Sequence, residues 1–259
     1  MTGAATVTLT APPGMPLVRP GDDLAALIST ALVAAGVSLQ DGDIVVVGQK
    51  IVSKAEGRLR NLADVHPGEA ARRLAREAEK DPRLVELILA ESRRVLRTRP
   101  GAIIVEHRLG FVCANAGIDH SNVAGEAAGD ESWVLLLPED PDGSARRLRD
   151  QLQRMTGARA AVLVIDSHGR AFRRGTVGVV IGAAGFPCLL DLRGEEDLFG
   201  YRLRVTEVGL GDELAAAASM LMGQSAEGRP VVHVRGLLYP ERDESSSELL
   251  RSAEEDLFR

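Results

Sequence analysis

Three short aliphatic runs constrain this chain most. Residues 44–47 read Ile-Val-Val-Val, residues 161–165 read Ala-Val-Leu-Val-Ile, and residues 231–234 read Val-Val-His-Val. Each is too short for a packed helix, and the first two lack the alternation of a half-exposed strand. They are expected to be strands buried on both faces. A sheet whose central strands are covered on both sides needs helices to cover it, which points to an α/β or α+β class.

The remaining segments supply those helices and some further strands. Residues 22–37 have apolar positions at helical spacing behind Asp22 and Asp23, two potential capping or first-turn acids. Residues 67–97 are charged and helical in pattern. Asp81-Pro82 divides them, because proline disfavours helical geometry in the residue before it. Residues 102–106 and 111–114 read as paired strands around Arg108-Leu109-Gly110, and residues 133–137 as another strand. A helix is expected over 142–155, capped by Asp142 or Ser144. Strands are expected over 176–181 and 203–208, and an alanine-rich helix over 212–221. Residues 125–130 are the best candidate for a mobile loop. Residues 245–258 form an acidic amphipathic helix or a frayed end.

Composition removes several classes of function. The net charge of −6 over 259 residues argues against non-specific binding to nucleic acid, which needs a basic face. The two cysteines, Cys113 and Cys188, are far apart, so neither a disulfide framework nor a cysteine-rich zinc site is expected. No apolar run reaches the ~18 residues of a membrane span. Residues 1–16 lack the basic start and apolar core of a signal peptide. A cytoplasmic protein, bound neither to membrane nor to nucleic acid, is the expectation. The phosphate loop GxxxxGK[ST], the dinucleotide fingerprint GxGxxG, HExxH and GxSxG are all missing. Any nucleotide or metal chemistry must use a less common arrangement.

Four stretches could carry it. Asn115-Ala116-Gly117-Ile118-Asp119-His120-Ser121-Asn122 follows an expected strand and is dense in oxygen and amide groups. Asp166-Ser167-His168-Gly169-Arg170 ends another strand and is followed by Arg173-Arg174-Gly175. Strand-end carboxylates suit Mg²⁺ or Mn²⁺, and two of them suit a two-metal arrangement. Arginine forks suit phosphate. The same residue types also make ordinary turns and solvated surface pairs. His120 and His168 have no second histidine at ligand spacing and read as loop polar groups. Lys50 and Lys54, after the first buried strand, fit either a phosphate contact or a charged edge strand. Met222-Gly223-Gln224-Ser225-Ala226-Glu227-Gly228-Arg229 fits a helix-ending turn, or a loop over a ligand with Gln224 or Glu227 offering oxygen.

Taken together and in this order, the stretches resemble the coenzyme F420:L-glutamate ligase family, the gamma-glutamyl ligases of F420 biosynthesis. The resemblance runs from Gly14-Met15-Pro16-Leu17 and Gly21-Asp22-Asp23-Leu24 to Val234-Arg235-Gly236-Leu237. Its most specific pieces are Val52-Ser53-Lys54-Ala55-Glu56-Gly57-Arg58, Asn115-Ala116-Gly117-Ile118-Asp119 with Ser121-Asn122, and Phe172-Arg173-Arg174-Gly175. Leu221-Met222-Gly223 adds to them.

The resemblance implies a mixed-sheet α/β ligase fold in an intertwined homodimer. It implies a ligase domain over residues 1–240 and an acidic tail or helix over 241–259, without the nitroreductase-like domain that some relatives carry. GTP would meet Gly14, Met15, Pro16, Leu17, Gln49, Lys50, Lys54 and Asn122. Met222, Gly223, Gln224, Ser225, Ala226, Glu227, Gly228 and Arg229 would form the loop over it. Asp119 and Asp166 would hold one Mg²⁺ or Mn²⁺, with Ser167 and Gln224 helping to hold a second, and K⁺ as an optional further cation. Position 167 is commonly threonine in the family and position 224 often glutamate. The serine keeps the hydroxyl, whereas the glutamine loses a charge.

The implied reaction is GTP-dependent addition of L-glutamate to F420-0. The γ-phosphoryl group would pass to the acceptor carboxylate to give an acyl phosphate, and the glutamate amine would then displace phosphate. Lys54, Arg173 and Arg174 would assist electrostatically. His120 and Asp119 are candidates for the general base by nearness in sequence only. The competing readings are a metal-dependent phosphohydrolase using the same carboxylates, and a non-catalytic GTP-binding module.

Overall fold

The computed structural model describes residues 5–123, 132–252 and 254–256. The strands are β1 (Thr8–Thr10), β2 (Ile44–Gly48), β3 (Leu59–Asn61), β4 (Ser92–Arg99), β5 (Ala102–His107), β6 (Val112–Ala114), β7 (Trp133–Leu135), β8 (Ala161–Arg170), β9 (Arg173–Ala184), β10 (Leu190–Asp191), β11 (Glu207–Val208) and β12 (Val231–Arg235). The helices are α1 (Leu24–Ala34), α2 (Gln49–Ala55), α3 (Glu69–Ala78), α4 (Pro82–Ala90), α5 (Pro141–Thr156) and α6 (Leu210–Met222). No helix among the described residues is long and apolar enough to cross a membrane.

The main sheet has the order β1-β12-β2-β8-β9. β2 and β8 run parallel, with Gly48 beside Ile165, while the other pairs are antiparallel. The aliphatic runs are continuous because both faces are covered. Val45, Val47, Val162 and Val164 pack with α1 and α5, while Ile44, Val46, Leu163 and Ile165 pack with α6. β9 accepts this double cover through two glycines. A methyl group at Gly178 would strike the Ala215 carbonyl of α6, and one at Gly182 would strike Pro141 of α5.

A smaller layer holds α3 and α4 against the antiparallel sheet β4-β5-β6, around Ile88, Ile103 and Val105. Asp81 caps α4 through the Arg83 N–H, and Pro82 takes the first helical position, which explains the break expected there. The helical reading of 67–97 fails at its end: residues from Ser92 onward form β4, because pairing with β5 outweighs their local pattern.

Three other expectations change. Lys50 and Lys54 lie on the short helix α2, not on an edge strand. Asp140, rather than Asp142 or Ser144, caps α5, accepting from the Gly143 N–H. The expected strand over 203–208 is reduced to two residues, Glu207–Val208.

Asp142 has a different task. It accepts from Ala183 N–H of β9 at 2.8 Å and from the Ser245 hydroxyl at 2.6 Å, so it ties the tail to the sheet. The described part of the tail holds one short 3-10 turn, Ser246–Leu249, and Leu249 packs on the α6 side of the core. The expected mobile loop at 125–130 lies outside the described residues.

Candidate functional site

The parallel strands β2 and β8 part where β2 ends, at Gly48 beside Ile165, while β8 runs on to Arg170, and a crevice beyond a strand end is a common ligand position in α/β sheets. Here a cleft of about 520 Å³ opens there. Gln49, Lys50 and Lys54 of α2 line one wall, and Asp166 and Ser167 of β8 form the floor. Met222 through Pro230 line the opposite wall, with Ser219, Leu17 and Asn122 at the margins. Asp166, Ser167 and His168 were read as a loop beyond the strand. They lie inside β8, paired with Val179, Gly178 and Val177 of β9.

Asp119 reaches the site through an unusual turn. Asn115, Ala116 and Gly117 all have positive φ, of 51°, 53° and 64°. Left-handed backbone is costly for residues with a side chain. The turn is held by Asn115 Oδ1, which accepts the Ile103 N–H at 3.1 Å. At Gly117 a Cβ would lie 2.7 Å from Leu137 Cδ1, so glycine is required there for space as well as for φ. Asp119 then exchanges backbone hydrogen bonds with Leu135.

The Asp119 carboxylate accepts from Gln49 Nε2 at 2.7 Å, and Lys50 Nζ stands 3.3 Å from its other oxygen. Burial pushes its pKa up to about 6. Lys50 opposes that rise, and the negative charge of nearby Asp166 adds to it. The Gln49 amide is itself oriented, because Ser53 Oγ donates to its Oε1 at 3.0 Å. Lys50 Nζ also donates to the Ser121 carbonyl and hydroxyl, each at 3.0 Å. Lys54 is partly buried, and burial, followed by the charge of Lys50, lowers its pKa.

On the facing wall, Ser167 Oγ donates to Gln224 Oε1 at 2.9 Å, and Gln224 Nε2 donates to Ser219 Oγ at 3.0 Å. Asn122 Nδ2 donates to the Ser225 carbonyl at 3.0 Å, and Gly48 N–H donates to the Pro230 carbonyl at 2.8 Å. Both bonds fasten the 223–230 loop across the cleft. Glu227 turns back to accept the Ser225 N–H at 2.8 Å, which lowers its pKa; its carboxylate braces its own loop. Gly223, at φ 73°, leaves room for that fold-back, since a Cβ there would overlap the Glu227 side chain.

Not every expected residue reaches the cleft. Leu17 lines it, but Gly14, Met15, Pro16 and Asp119 are not among its lining residues; Asp119 meets the cleft through Gln49 and Lys50, and Met15 packs on the α1 side of the core. Arg173 and Arg174 are exposed at the start of β9, at the tip of the β8–β9 hairpin. The tip is four strand residues beyond Asp166, roughly 14 Å at the usual rise. Within one chain these arginines do not line the cleft, because the long hairpin carries them away from it. His120 is exposed. Ser219 was missed by sequence reasoning. It precedes Met222 by three positions on α6, so helical spacing from the Met222 end would have found it.

The donor set tests whether a metal fits. The described residues contain no group of three or more His, Cys, Asp or Glu side chains poised around one point. A cage made of protein alone is therefore absent among them. Two carboxylates beside a hydroxyl and an amide oxygen are nevertheless hard donors. Mg²⁺ and Mn²⁺ commonly take one or two carboxylates and fill the remaining positions with water and substrate phosphate. The residues fit such an ion, provided Ser167 and Gln224 exchange their mutual hydrogen bond for it when both ligate.

Comparison with known proteins gives the family. Residues 14–236 match the F420-0:gamma-glutamyl ligase family. The chain is 48% identical over 250 residues to the coenzyme F420:L-glutamate ligase of Methanothermobacter thermautotrophicus, covering 95% of this chain and 96% of that one. It is 45% identical to the Methanopyrus kandleri protein of the same name over the whole of both chains. It is also 44% identical to that of Archaeoglobus fulgidus, over 95% of this chain and 94% of the other. The chain belongs to the F420-0:gamma-glutamyl ligase family, and its class of reaction is the ligation of L-glutamate to F420.

Proposed function

We propose that this ligase is GTP-dependent and joins L-glutamate to F420-0 through an acyl phosphate, with GDP and phosphate as products. The observation that carries the reading is one cleft lined by Asp166, Lys50 and Lys54, with Asp119, from a distant part of the chain, held against it by Gln49 and Lys50 and feeling the charge of Asp166. The cleft volume lies within the range of ordinary small-ligand sites.

An acceptor carboxylate needs a better leaving group than oxide before an amine can displace it. In the first step an acceptor carboxylate oxygen bonds to the γ-phosphorus and the bond to the β-phosphate oxygen breaks, releasing GDP. In the second, the glutamate nitrogen bonds to the acyl carbon, phosphate leaves, and the nitrogen gives up a proton. Lys50 and Lys54 supply positive charge toward the triphosphate. Asn122 and the 223–230 loop form the wall against which the nucleotide is held. Asp119 and Asp166, with Ser167 and Gln224, would hold two Mg²⁺ or Mn²⁺ ions, which supply charge neutralisation to the transferring phosphoryl group. The reading places the reaction in the cytoplasm, with K⁺ as a further ion to vary in the assay.

A homodimer is part of the proposal. Between β10 and β11 the chain projects Leu198 and Phe199 at 97% and 94% exposure, with Val205 at 86%. Exposed apolar clusters of this kind are usually covered by a partner, and a second copy is the proposed cover. Light scattering should give twice the chain mass, and the double change Leu198→Ser with Phe199→Ser should return it to the monomer.

The activity test uses the purified protein with F420-0, L-glutamate, GTP and Mn²⁺, with products followed by mass. Glutamylated F420 and GDP should appear together. GDP formed at the same rate without glutamate would favour a phosphohydrolase, and bound but unconsumed GTP a binding module.

A further inference from the structure

Asp166 and His168 are two residues apart on β8, so their side chains leave the same face of the strand. His168 Nε2 lies 3.0 Å from Asp166 Oδ2. The contact is at ion-pair distance, and this buried nitrogen has no hydrogen-bond partner among the described residues. A small rotation of the carboxylate would complete the bond.

The His168 ring is braced from behind. Phe111 packs against it with ring centres 5.2 Å apart, and the other face of this arrangement is His107, stacked flat on Phe111 at 5.1 Å and 6°. His107 is fully buried. The Leu109 N–H donates to its Nδ1 at 3.0 Å, which leaves the ring hydrogen of the neutral form on Nε2. Burial pushes the His107 pKa down to about 4, so the far end of the stack keeps one neutral form near pH 7. Beyond it, Arg58 and Arg108 grip Glu91 at 3.0 and 2.8 Å. The stack is therefore anchored at one end in the smaller layer, and its free end is the imidazole that faces Asp166.

We propose that His168 is a positioning residue: it holds Oδ2 of Asp166, so that Oδ1 is turned toward the cation, and the His107–Phe111–His168 stack fixes where it does so. The proposal rests on the reading of Asp166 as a cation ligand. Groups that orient a metal ligand commonly change affinity by about 10- to 100-fold when removed.

The test is Mn²⁺ binding to the full-length protein with GTP and no F420-0, followed by electron paramagnetic resonance, with thermal midpoints recorded alongside. His168→Ala should weaken Mn²⁺ binding by about 10- to 100-fold. His168→Gln should restore most of it, because the glutamine amide reaches the place of Nε2. His168→Asn, one methylene shorter, should not. Phe111→Leu should give a smaller loss in the same direction. If His168→Ala does not fold, the glutamine and asparagine pair carries the test. Wild-type Mn²⁺ affinity in His168→Ala, or equal weakening by glutamine and asparagine, would overturn the positioning role. Asp166→Asn separates the two levels. If it abolishes binding while His168→Ala does not, the ligand reading stands and the His168 proposal falls. If neither change matters, the ligand reading itself falls.

Discussion

Two carboxylates, Asp43 buried and Asp119 half-buried, stand at opposite ends of strand β2 and are treated in opposite ways. Asp43, just before the strand, is 2% exposed and fully matched. Arg235 donates to both of its oxygens at 2.8 and 2.7 Å, His233 Nε2 lies 2.9 Å away, and the Gln40 N–H donates at 2.8 Å. Burial alone would raise its pKa, but these partners outweigh it and leave the group below the ordinary range. Asp119, beyond the other end, has one amide donor and one lysine, shares its surroundings with Asp166, and sits at about 6. The fold completes the charge balance where it needs stability. At Asp119 it leaves the carboxylate less than fully balanced, which is what the proposed cation site requires.

The contrast breaks most easily at Asp119. Asp119→Asn should lower turnover on the order of 100-fold or more, with circular dichroism and thermal midpoint preserved. Near-normal turnover would mean that this imbalance has no catalytic purpose. Asp43→Asn should do the reverse. Urea unfolding should show a loss of about 3 kcal/mol, since one partner of a buried ion pair is removed, while turnover per folded molecule stays close to wild type.

Thermal scans from pH 3 to 7 in a chelator sharpen the comparison. Asp43, with its depressed pKa, contributes stability that is present above about pH 4 and is lost as pH falls through its folded pKa. Asp119, with its raised pKa, acts with the opposite sign. Its contribution is fullest below about pH 4 and is lost as pH rises through about 6. Asp119→Asn should remove that decline, and Asp43→Asn should flatten the acid limb. The smallest effect is expected at Gly117→Ala. Positive φ and the Leu137 contact should cost about 1–3 kcal/mol, with a raised KM for Mn²⁺ as Asp119 shifts.

The sheet was legible because burial on both faces leaves an unmistakable mark: uninterrupted Ile44–Val47 and Ala161–Ile165 can hardly be anything but central strands. Asp119 and Asp166 stand out in the sequence as carboxylates just after apolar strand runs, although Asp166 lies inside β8 rather than at its end, and the capping pair Asp81-Pro82 announced its helix. What failed was decided at a distance. Ser92–Arg99 has a charged pattern that continues the helix before it, and only its pairing with β5 makes it a strand. His168 has Asp166 at strand spacing, but nothing local links it to Phe111 and His107. The exposed Arg173–Arg174 pair lies apart from the cleft because β8 and β9 continue past the carboxylate as a hairpin, a length that no motif encodes.

The notch at Gly178, paired with Ser167 of β8, has a consequence for the helix packed over it. Because α6 rests its Ala215 carbonyl directly on that residue, the helix that carries Ser219 and Met222 is seated by the missing methyl group. Gly178→Ala would press α6 outward like a shim under a jaw, because the added methyl would meet both the Ala215 carbonyl and, at 2.8 Å, the Cβ of Ser219 at the margin of the cleft. The width of the cleft is therefore set in part by how closely β9 lets α6 approach.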